Sequence, residues 1–506
     1  MRFVHRPLLL AVCAVWLACH DDGVAEIDVS GVNYASAGSS QYDVTVPATS
    51  PEDATPGEPR ETDTADEPRD EDGSVTPDIP TEPSVADADE FPEEGPGPTR
   101  YPSDRVHSPL TPHVVENLRT IAAMDDALQD DVFAKVGASS LDSPQMLTCF
   151  AGEHVDRELM SPPSEDTLDL FLGGDAGGED PFSRDALSAV SGKTAAWAIA
   201  GDPSPLDEEL AITRARFGLV EYGTNDMGMG TTYASAMPGF ADALVSLVDS
   251  LIMAGVIPVL HTNRARLDSA SAALWVGTYN AVIRGVAQGR QIPLLDQHLL
   301  FEDLPDYGLG SDGLHMSAYT EAGAQRTCRF SDEALSYGYN ARNLATIDAL
   351  ARLTAVVTDG LDAPDQGAGP LGDGSLGSPY VIDQLPFTAM RNTEDSLQAA
   401  LDVYSGCAAD QDESGPEHLY QLVLSEPARL RAMVLDQGEV DIDLHVLNDT
   451  ATEAGCMARH DRLWEGTLGA GTYYFSLDTY VSAGVPKPGE YLFVLARCHP
   501  DDDACD

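Results

Sequence analysis

The stretch "FGLVEYGTNDMG", residues 217–228, runs from an apolar segment directly into Gly-Thr-Asn-Asp. An apolar run of strand length that stops at turn-forming residues reads as a buried strand with its end at a surface. Three other runs share this form: "DVFAKVG" (131–137), "GVIPVLHT" (255–262) and "QIPLLD" (291–296). Between them lie longer stretches with helical spacing, notably "FADALVSLVDSLIMAG" (240–255) and "ALWVGTYNAVIRGVAQG" (273–289). Strands alternating with helices predict an α/β domain with a parallel sheet. Ligands of such sheets bind beyond the carboxyl ends of the strands. Gly-Thr-Asn-Asp is good turn chemistry by itself, and it also stands where a site would be.

Outward from this domain, expected over residues 107–358, the composition changes on both sides. Residues 20–106 are rich in Asp, Glu, Pro, Thr and Ser, as in "PEDATPGEPRETDTADEPRDEDG". Without hydrophobic periodicity such a segment cannot bury enough surface to fold, so a disordered acidic tether is expected. A flexible chain of roughly 80 residues has an r.m.s. span of about 50 Å. On the other side, "DGLDAPDQGAGPLGDGSLGSP" (359–379) reads as a Gly/Asp/Pro linker. Beyond it, over 380–506, "VDIDLHVL" (440–447), "GTYYFSLDTY" (471–480) and "GEYLFVLAR" (489–497) are spaced by turn residues, which predicts an antiparallel β-sandwich.

The 506-residue chain holds 84 acidic and 28 basic residues, a net charge of −56. That balance repels polyanions and argues against nucleic acid as a partner. The N-terminal "MRFVHRPLLLAVCAVWLAC" has two arginines, then an apolar run of signal-peptide length. Its end resembles a bacterial lipoprotein signal over residues 1–19, with Cys19 as the lipidated residue, although Trp16 stands where such signals usually carry Leu. The expected location is the bacterial cell envelope, lipid-anchored or secreted, with membrane contact through the lipid alone. Apart from Cys13 and Cys19, six cysteines remain. An even number in an exported chain points to disulfides, for which we expect Cys149–Cys328, Cys407–Cys456 and Cys498–Cys505.

Chemistry-bearing residues sit at the other strand ends. "KVGASSL" puts Ser139 at the tip of the first strand, with Ser140 beside it, and "GSDGLHMS" puts Asp312 and His315 three residues apart. Serine, carboxylate and histidine supply a nucleophile, an orienting group and a base. Together with "AVSGKTAAW" and "GTND", these blocks resemble the SGNH (GDSL-like) hydrolases over roughly residues 115–350. The resemblance implies a flavodoxin-like three-layer fold and a serine esterase without cofactor or metal. It implies Ser139 as nucleophile, His315 as base and Asp312 as orienting carboxylate. The oxyanion hole would comprise the N–H groups of Ser139 and Gly192 and the side-chain amide of Asn225, with Asp226 capping the following turn. The first block departs from the usual Gly-Asp-Ser, because Ala138 replaces the Asp.

The expected function is therefore hydrolysis of O-acyl esters of extracellular glycans or lipids. The alternatives are a catalytically silent surface-binding lipoprotein, for which Ala138 speaks, and an acyltransferase. Outside the set, "DIDLH" places Asp441, Asp443 and His445 on one strand face, read as a solvated acidic face rather than a calcium site. His261 reads as a capping residue, and Arg264 and Arg266 as salt-bridge partners rather than anion ligands. The C-terminal part weakly resembles pre-peptidase C-terminal β-sandwich domains.

Overall fold

The computed structural model describes residues 97–396, 398–409 and 411–506. The signal segment, Cys19 and residues 20–96 of the expected tether lie outside them. Four parallel strands form the central sheet in the order β1 (Gln129–Gly137), β2 (Ala215–Glu221), β3 (Ile257–His261) and β4 (Leu294–Leu295). Strands β2 and β3 are buried along their whole length. That is why their sequences are continuous apolar runs rather than alternating ones.

Six helices cover the sheet: α1 (Pro112–Ala122), α2 (Pro162–Leu172), α3 (Pro205–Thr213), α4 (Tyr233–Met253), α5 (Ala270–Gly289) and α6 (Gly338–Val357). Helices α1, α2 and α6 pack together, and α4 packs with α5. Several helices start on side-chain caps: the hydroxyls of Thr111, Ser161, Ser204, Thr232 and Ser269 each accept a first-turn N–H.

The flavodoxin-like order is present in reduced form. On the outer edge of β1, the place of a fifth strand is taken by a single parallel bridge between Gly137 and Ala189. The chain thus leaves β1 toward one edge and returns to β2 on the other side, and in open α/β sheets ligands bind at such a switch point. Ser139 lies two residues past the end of β1.

The C-terminal part is a sandwich of two sheets. Its strands are β5 (Tyr380–Ile382), β6 (Phe387–Asn392), β7 (Glu417–Leu424), β8 (Ala428–Asp436), β9 (Ile442–Leu447), β10 (Cys456–His460), β11 (Leu463–Leu468), β12 (Gly471–Thr479) and β13 (Glu490–Arg497). One sheet runs β11-β8-β13-β6, and the other β10-β9-β12-β7-β5. All pairs are antiparallel except β5 with β7.

The sandwich is not a loosely tethered module. Helix α5 lies against β6 and β13. Along β13, Phe493 and Leu495 face the sandwich interior while Leu492 and Val494 join the core of the α/β domain. Strand β8 divides in the same way, with Val434 inside and Met433 and Leu435 toward the α/β domain. The run "YLFVLA" in β13 is therefore continuously apolar because both faces are covered. Arg431, 1% exposed, adds a polar anchor across the contact. Its guanidinium carbon lies 3.5 Å from the Trp275 ring centroid, and Nη1 donates to the Leu274 carbonyl and Thr278 Oγ1, both at 3.1 Å.

Two expected boundaries are corrected. Residues 97–106, assigned above to the disordered tether, pack against the domain: Tyr101 is fully buried and its hydroxyl donates to the Ile292 carbonyl at 2.9 Å. The Tyr101 ring, backbone bonds from Thr99 and Tyr101 to Gln291 and Gln288 (both 2.7 Å), and the Arg100–Asp383 pair together fix this segment. The expected linker also packs back. Asp365 accepts the Leu110 N–H at 2.8 Å, and Ala368 accepts that of Arg100 at 3.0 Å. The three expected disulfides all form: Cys149–Cys328, Cys407–Cys456 and Cys498–Cys505. They are the chemistry of an oxidising compartment.

The "DIDLH" face is solvated only at Asp441, whose side chain is 33% exposed. Ile442 and Leu444 point into the sandwich, and Asp443 and His445 on the other face are buried as well. A segment stapled by Cys407–Cys456 covers them. It stacks Tyr404 on the His445 ring at 3.5 Å and brings in the fully buried Glu413. Asp443 faces Asp478 across the ladder, and Arg459 pairs with Asp443. Burial, then the Asp443 and Asp478 carboxylates, push the Glu413 pKa far above the carboxylate range; Arg459 opposes this. Asp478 is raised too, chiefly by burial.

Two outcomes follow from these packing arrangements. At Gly289 on α5 a Cβ would stand 2.5 Å from Met390 Cβ in β6. Gly289→Ala is therefore expected to lower unfolding free energy by about 1–3 kcal/mol in denaturant titrations. The folded state also holds protons on the Glu413 cluster that the unfolded chain releases above about pH 4. This contribution is complete below that pH and is lost as pH rises toward the folded pKa, at up to about 1.4 kcal/mol per pH unit for each proton. Melting curves between pH 5 and 9 should show Glu413→Gln gaining on the parent protein as pH rises.

Candidate active site

The first loop starts where β1 ends. Gly137 allows the close approach of β2, since a Cβ there would lie 2.8 Å from the Glu221 carbonyl oxygen. The Ala138 carbonyl accepts the N–H groups of both Leu141 and Asp142 at 3.0 Å, which closes a tight turn over Ser139 and Ser140. Ala138 is 8% exposed and belongs to the apolar core, so a methyl group suits this position.

The second loop presents histidine. Asp312 Oδ1 accepts the N–H groups of Leu314 (3.0 Å) and His315 (2.9 Å), while its Oδ2 lies 2.7 Å from His315 Nδ1. One carboxylate thus builds the turn and orients the ring, which is what the three-residue spacing makes possible. Gly313, at φ 66°, sits so close to Leu267 and Asp268 that a Cβ would meet their backbone at 2.9 Å. Partial burial pushes the Asp312 pKa up, but the hydrogen bonds from the His315 ring, His315 N–H and Leu314 N–H outweigh it and hold the group at about 2. It is therefore ionised at any ordinary pH.

These two loops meet. His315 Nε2 lies 3.2 Å from Ser139 Oγ, across 176 residues of sequence. The side chains of His315 and Asp312 remain 42% and 54% exposed, so the arrangement opens at the surface.

Two further loops flank it. Gly192 has φ 79° with nothing within 4 Å of a Cβ, so its glycine serves a left-handed backbone and not a close approach to protein atoms. Asp142 Oδ2 accepts the Ser191 N–H at 2.9 Å and its hydroxyl at 2.5 Å, tying this loop to the serine turn. Asn225 donates through Nδ2 to the Lys193 carbonyl at 2.8 Å, which leaves its second amide hydrogen unused by that bond. Among the described residues, no acceptor pairs with the backbone N–H of Ser139 or Gly192.

Asp226 does more than cap its own turn. Its two oxygens accept the N–H groups of Ala195 and Gly223, both at 2.9 Å, and so lock the Gly192 and Asn225 loops together. Burial raises its pKa, with the three backbone hydrogen bonds opposing. Gly223, at φ 123°, could not carry a Cβ, which would lie 2.2 Å from Asn263 Nδ2.

Beneath the serine lies a buried charge cluster that the sequence reading resolved only in part. Glu221, at the end of β2, is 3% exposed, with Arg264 Nη1 at 3.1 Å from one oxygen and Arg342 Nη2 at 2.5 Å from the other. Gln297 Nε2 donates to it at 2.9 Å. Burial pushes the Glu221 pKa up, and Arg342, Arg264 and His261 reverse this to leave it below the usual value. A glutamate inside an otherwise apolar run was the available signal. His261 is corrected from the capping reading: it is 1% exposed, its Nδ1 lies 3.2 Å from the Val220 and Val259 carbonyls, and burial lowers its pKa to about 3. Arg266 pairs with Asp268 at 2.7 Å, as a salt bridge.

One other group of potential metal ligands converges among the described residues, Glu465, Asp502 and Cys505. Arg431 already pairs with both carboxylates, and Cys505 is in a disulfide.

Several solved structures align with parts of the chain. A GDSL-like lipase from Bacteroides thetaiotaomicron aligns over 47% of this chain and 96% of its own, at 14% identity and a TM-score of 0.27. A two-domain esterase active on acetylated mannans aligns over 80% of this chain and 97% of its own, at 10% identity and a TM-score of 0.26. The pre-peptidase C-terminal domain of a Bacillus anthracis collagenase aligns over 22% of this chain and 89% of its own, at 11% identity and a TM-score of 0.15. No curated protein sequence matches the chain. The family model that does match covers residues 175–322, a span that holds Gly192, Asn225, Asp312 and His315 and begins after Ser139. The model is that of the GDSL-like lipase/acylhydrolase family, to which this span is similar.

Proposed function

We propose that the protein is an exported serine esterase that hydrolyses O-acyl esters through Ser139, His315 and Asp312. The observation that carries this is the continuous line from Ser139 Oγ to His315 Nε2 (3.2 Å) and from His315 Nδ1 to Asp312 (2.7 Å). In the forward step Ser139 Oγ attacks the ester carbonyl carbon while its proton passes to His315 Nε2. Asp312 keeps the Nδ1 proton in place and balances the imidazolium that forms.

The tetrahedral oxyanion is met by the N–H groups of Ser139 and Gly192 and by the remaining Asn225 amide hydrogen. These donors are held before substrate arrives, by Asp142 on one side and by Lys193 and Asp226 on the other. Preorganised donors act without reorganisation cost when charge develops. Collapse then expels the alcohol, which takes the proton from His315. Water repeats the sequence on the acyl-enzyme and restores Ser139.

The half-exposed Asp312–His315 pair favours an acyl group borne on a bulky substrate that covers the site, over a small molecule engulfed by it. We assign the substrate as an O-acyl ester of an extracellular glycan or lipid. A Cys19 lipid anchor would keep the domain near the envelope where such esters lie.

Hydrolysis of a short-chain chromogenic ester tests the nucleophile. Ser139→Ala should lose activity and fluorophosphonate labelling while keeping its melting temperature, and Ser140→Ala should still be labelled at Ser139. A parent protein that takes no label at all would overturn the esterase reading. Asn225→Ala should cost roughly 100- to 1,000-fold in kcat, the usual effect of removing one oxyanion donor.

A further inference from the structure

Arg264 is 1% exposed, and its guanidinium makes three connections. Nη1 donates to Ser140 Oγ and to Glu221 Oε1, and Nε donates to the Leu314 carbonyl. Ser140 immediately follows Ser139, and Leu314 immediately precedes His315. We propose that Arg264 is a positioning residue for the ester hydrolysis described above, holding the serine turn and the histidine loop in register from beneath. The inference rests on Ser139 and His315 being the reacting pair.

The case is geometric. The Ser139–His315 contact is made by side chains alone, from loops 176 residues apart. The Asp142–Ser191 bonds and the Asp226 clamp fix the oxyanion loops, and neither touches the histidine loop. Arg264 reaches both members of the pair at one residue's remove. Its planar fork can address acceptors in several directions at once, which a lysine ammonium on a flexible stem does not reproduce.

Energetics argue in the same direction. A buried cation loses its hydration, and an apolar side chain of similar volume often serves stability as well or better. Here the Glu221 carboxylate has a second cation in Arg342, so Arg264 is not required to neutralise it. What Arg264 alone supplies is the pair of bonds to Ser140 and Leu314. Its Glu221 contact sets the direction of the fork, and Glu221 is itself anchored at the end of a fully buried strand.

The experiment compares Arg264→Lys, Arg264→Met, Ser140→Ala and the Arg264→Lys/Ser140→Ala double variant in the full chain. It measures kcat and KM on a short-chain chromogenic ester, the rate of fluorophosphonate labelling at Ser139, and the melting temperature. Misplacing reacting groups by about 1 Å costs on the order of 100-fold. Each arginine variant should therefore lose roughly 10- to 100-fold in kcat and in labelling rate, with KM within about twofold. Ser140→Ala should lose less than either, since it severs one arm, and the double variant should be no slower than Arg264→Lys alone. A folded Arg264→Met or Arg264→Lys that labels and turns over at the parent rate would overturn the proposal. A fall in melting temperature with unchanged kcat would do so as well, by making the cluster merely structural. If Arg264→Met fails to fold, the Lys and Ser140→Ala arms decide. Failure of the underlying reading looks different, because the parent protein itself would then take no label.

Discussion

A charged carboxylate at the buried end of a central strand is the constraint around which the α/β domain is arranged. Glu221 cannot remain ionised there without a cation, and its own removal would strand two buried guanidiniums in a low-dielectric interior. Arg264 arrives from the loop after β3 and Arg342 from helix α6, so three elements distant in sequence must close on one point. Through Arg264 that point touches Ser140, just past the end of β1. The fold and the candidate site therefore share one foundation, and the residues that bear chemistry stand one layer above it.

The site uses carboxylates as backbone clamps more often than as reacting groups. Asp312 spends one oxygen on two N–H groups of its own turn and the other on the His315 ring. Asp226 joins Gly223 to Ala195, and Asp142 joins the Ser191 backbone to the serine turn. Each clamp removes freedom from a loop that must present a group accurately, at the cost of burying or immobilising a charge. In a chain with net charge −56, carboxylates are the abundant currency for this task. Arginine is scarcer, and where buried it links segments rather than caps them.

Much of the architecture is legible in the sequence for a plain reason. Parallel strands buried on both faces are mostly apolar runs, and their ends are marked by Gly, Asn, Asp and Ser, so the four strands and the Ser139, Asn225 and His315 loops can be located directly. The Asp312–His315 spacing is legible because one turn suffices to join them. What the sequence conceals is long-range pairing of charge. Glu221 and Arg342 lie 121 positions apart, and nothing local marks them as partners. Tyr101 hides similarly in a Pro-rich segment, where composition predicts a tether and a buried ring with neighbouring backbone bonds to Gln288 and Gln291 overrides it. The "DIDLH" strand shows the converse failure. Its alternation is real, but the polar face is covered by a segment that a disulfide holds in place, so periodicity alone mistakes a buried face for a wet one.

The same alternation, read along β8 and β13, reveals how the two parts of the chain depend on each other. Residues of one parity close the sandwich, while those of the other parity complete the core of the α/β domain. An antiparallel sheet with one wet face would carry polar residues at those positions. Leu492, Val494, Met433 and Leu435 would become an exposed apolar patch if the sandwich stood alone, and α5 would lose the surface that Gly285 and Gly289 are shaped to approach. Arg431 closes the argument from the polar side, since its bonds to Leu274 and Thr278 and its stacking on Trp275 are made only when the two parts are docked. The sandwich is thus structural support for the helix layer on one side of the sheet. Its covered face cannot double as a free adhesive surface, so any binding role it has must fall on its remaining sides.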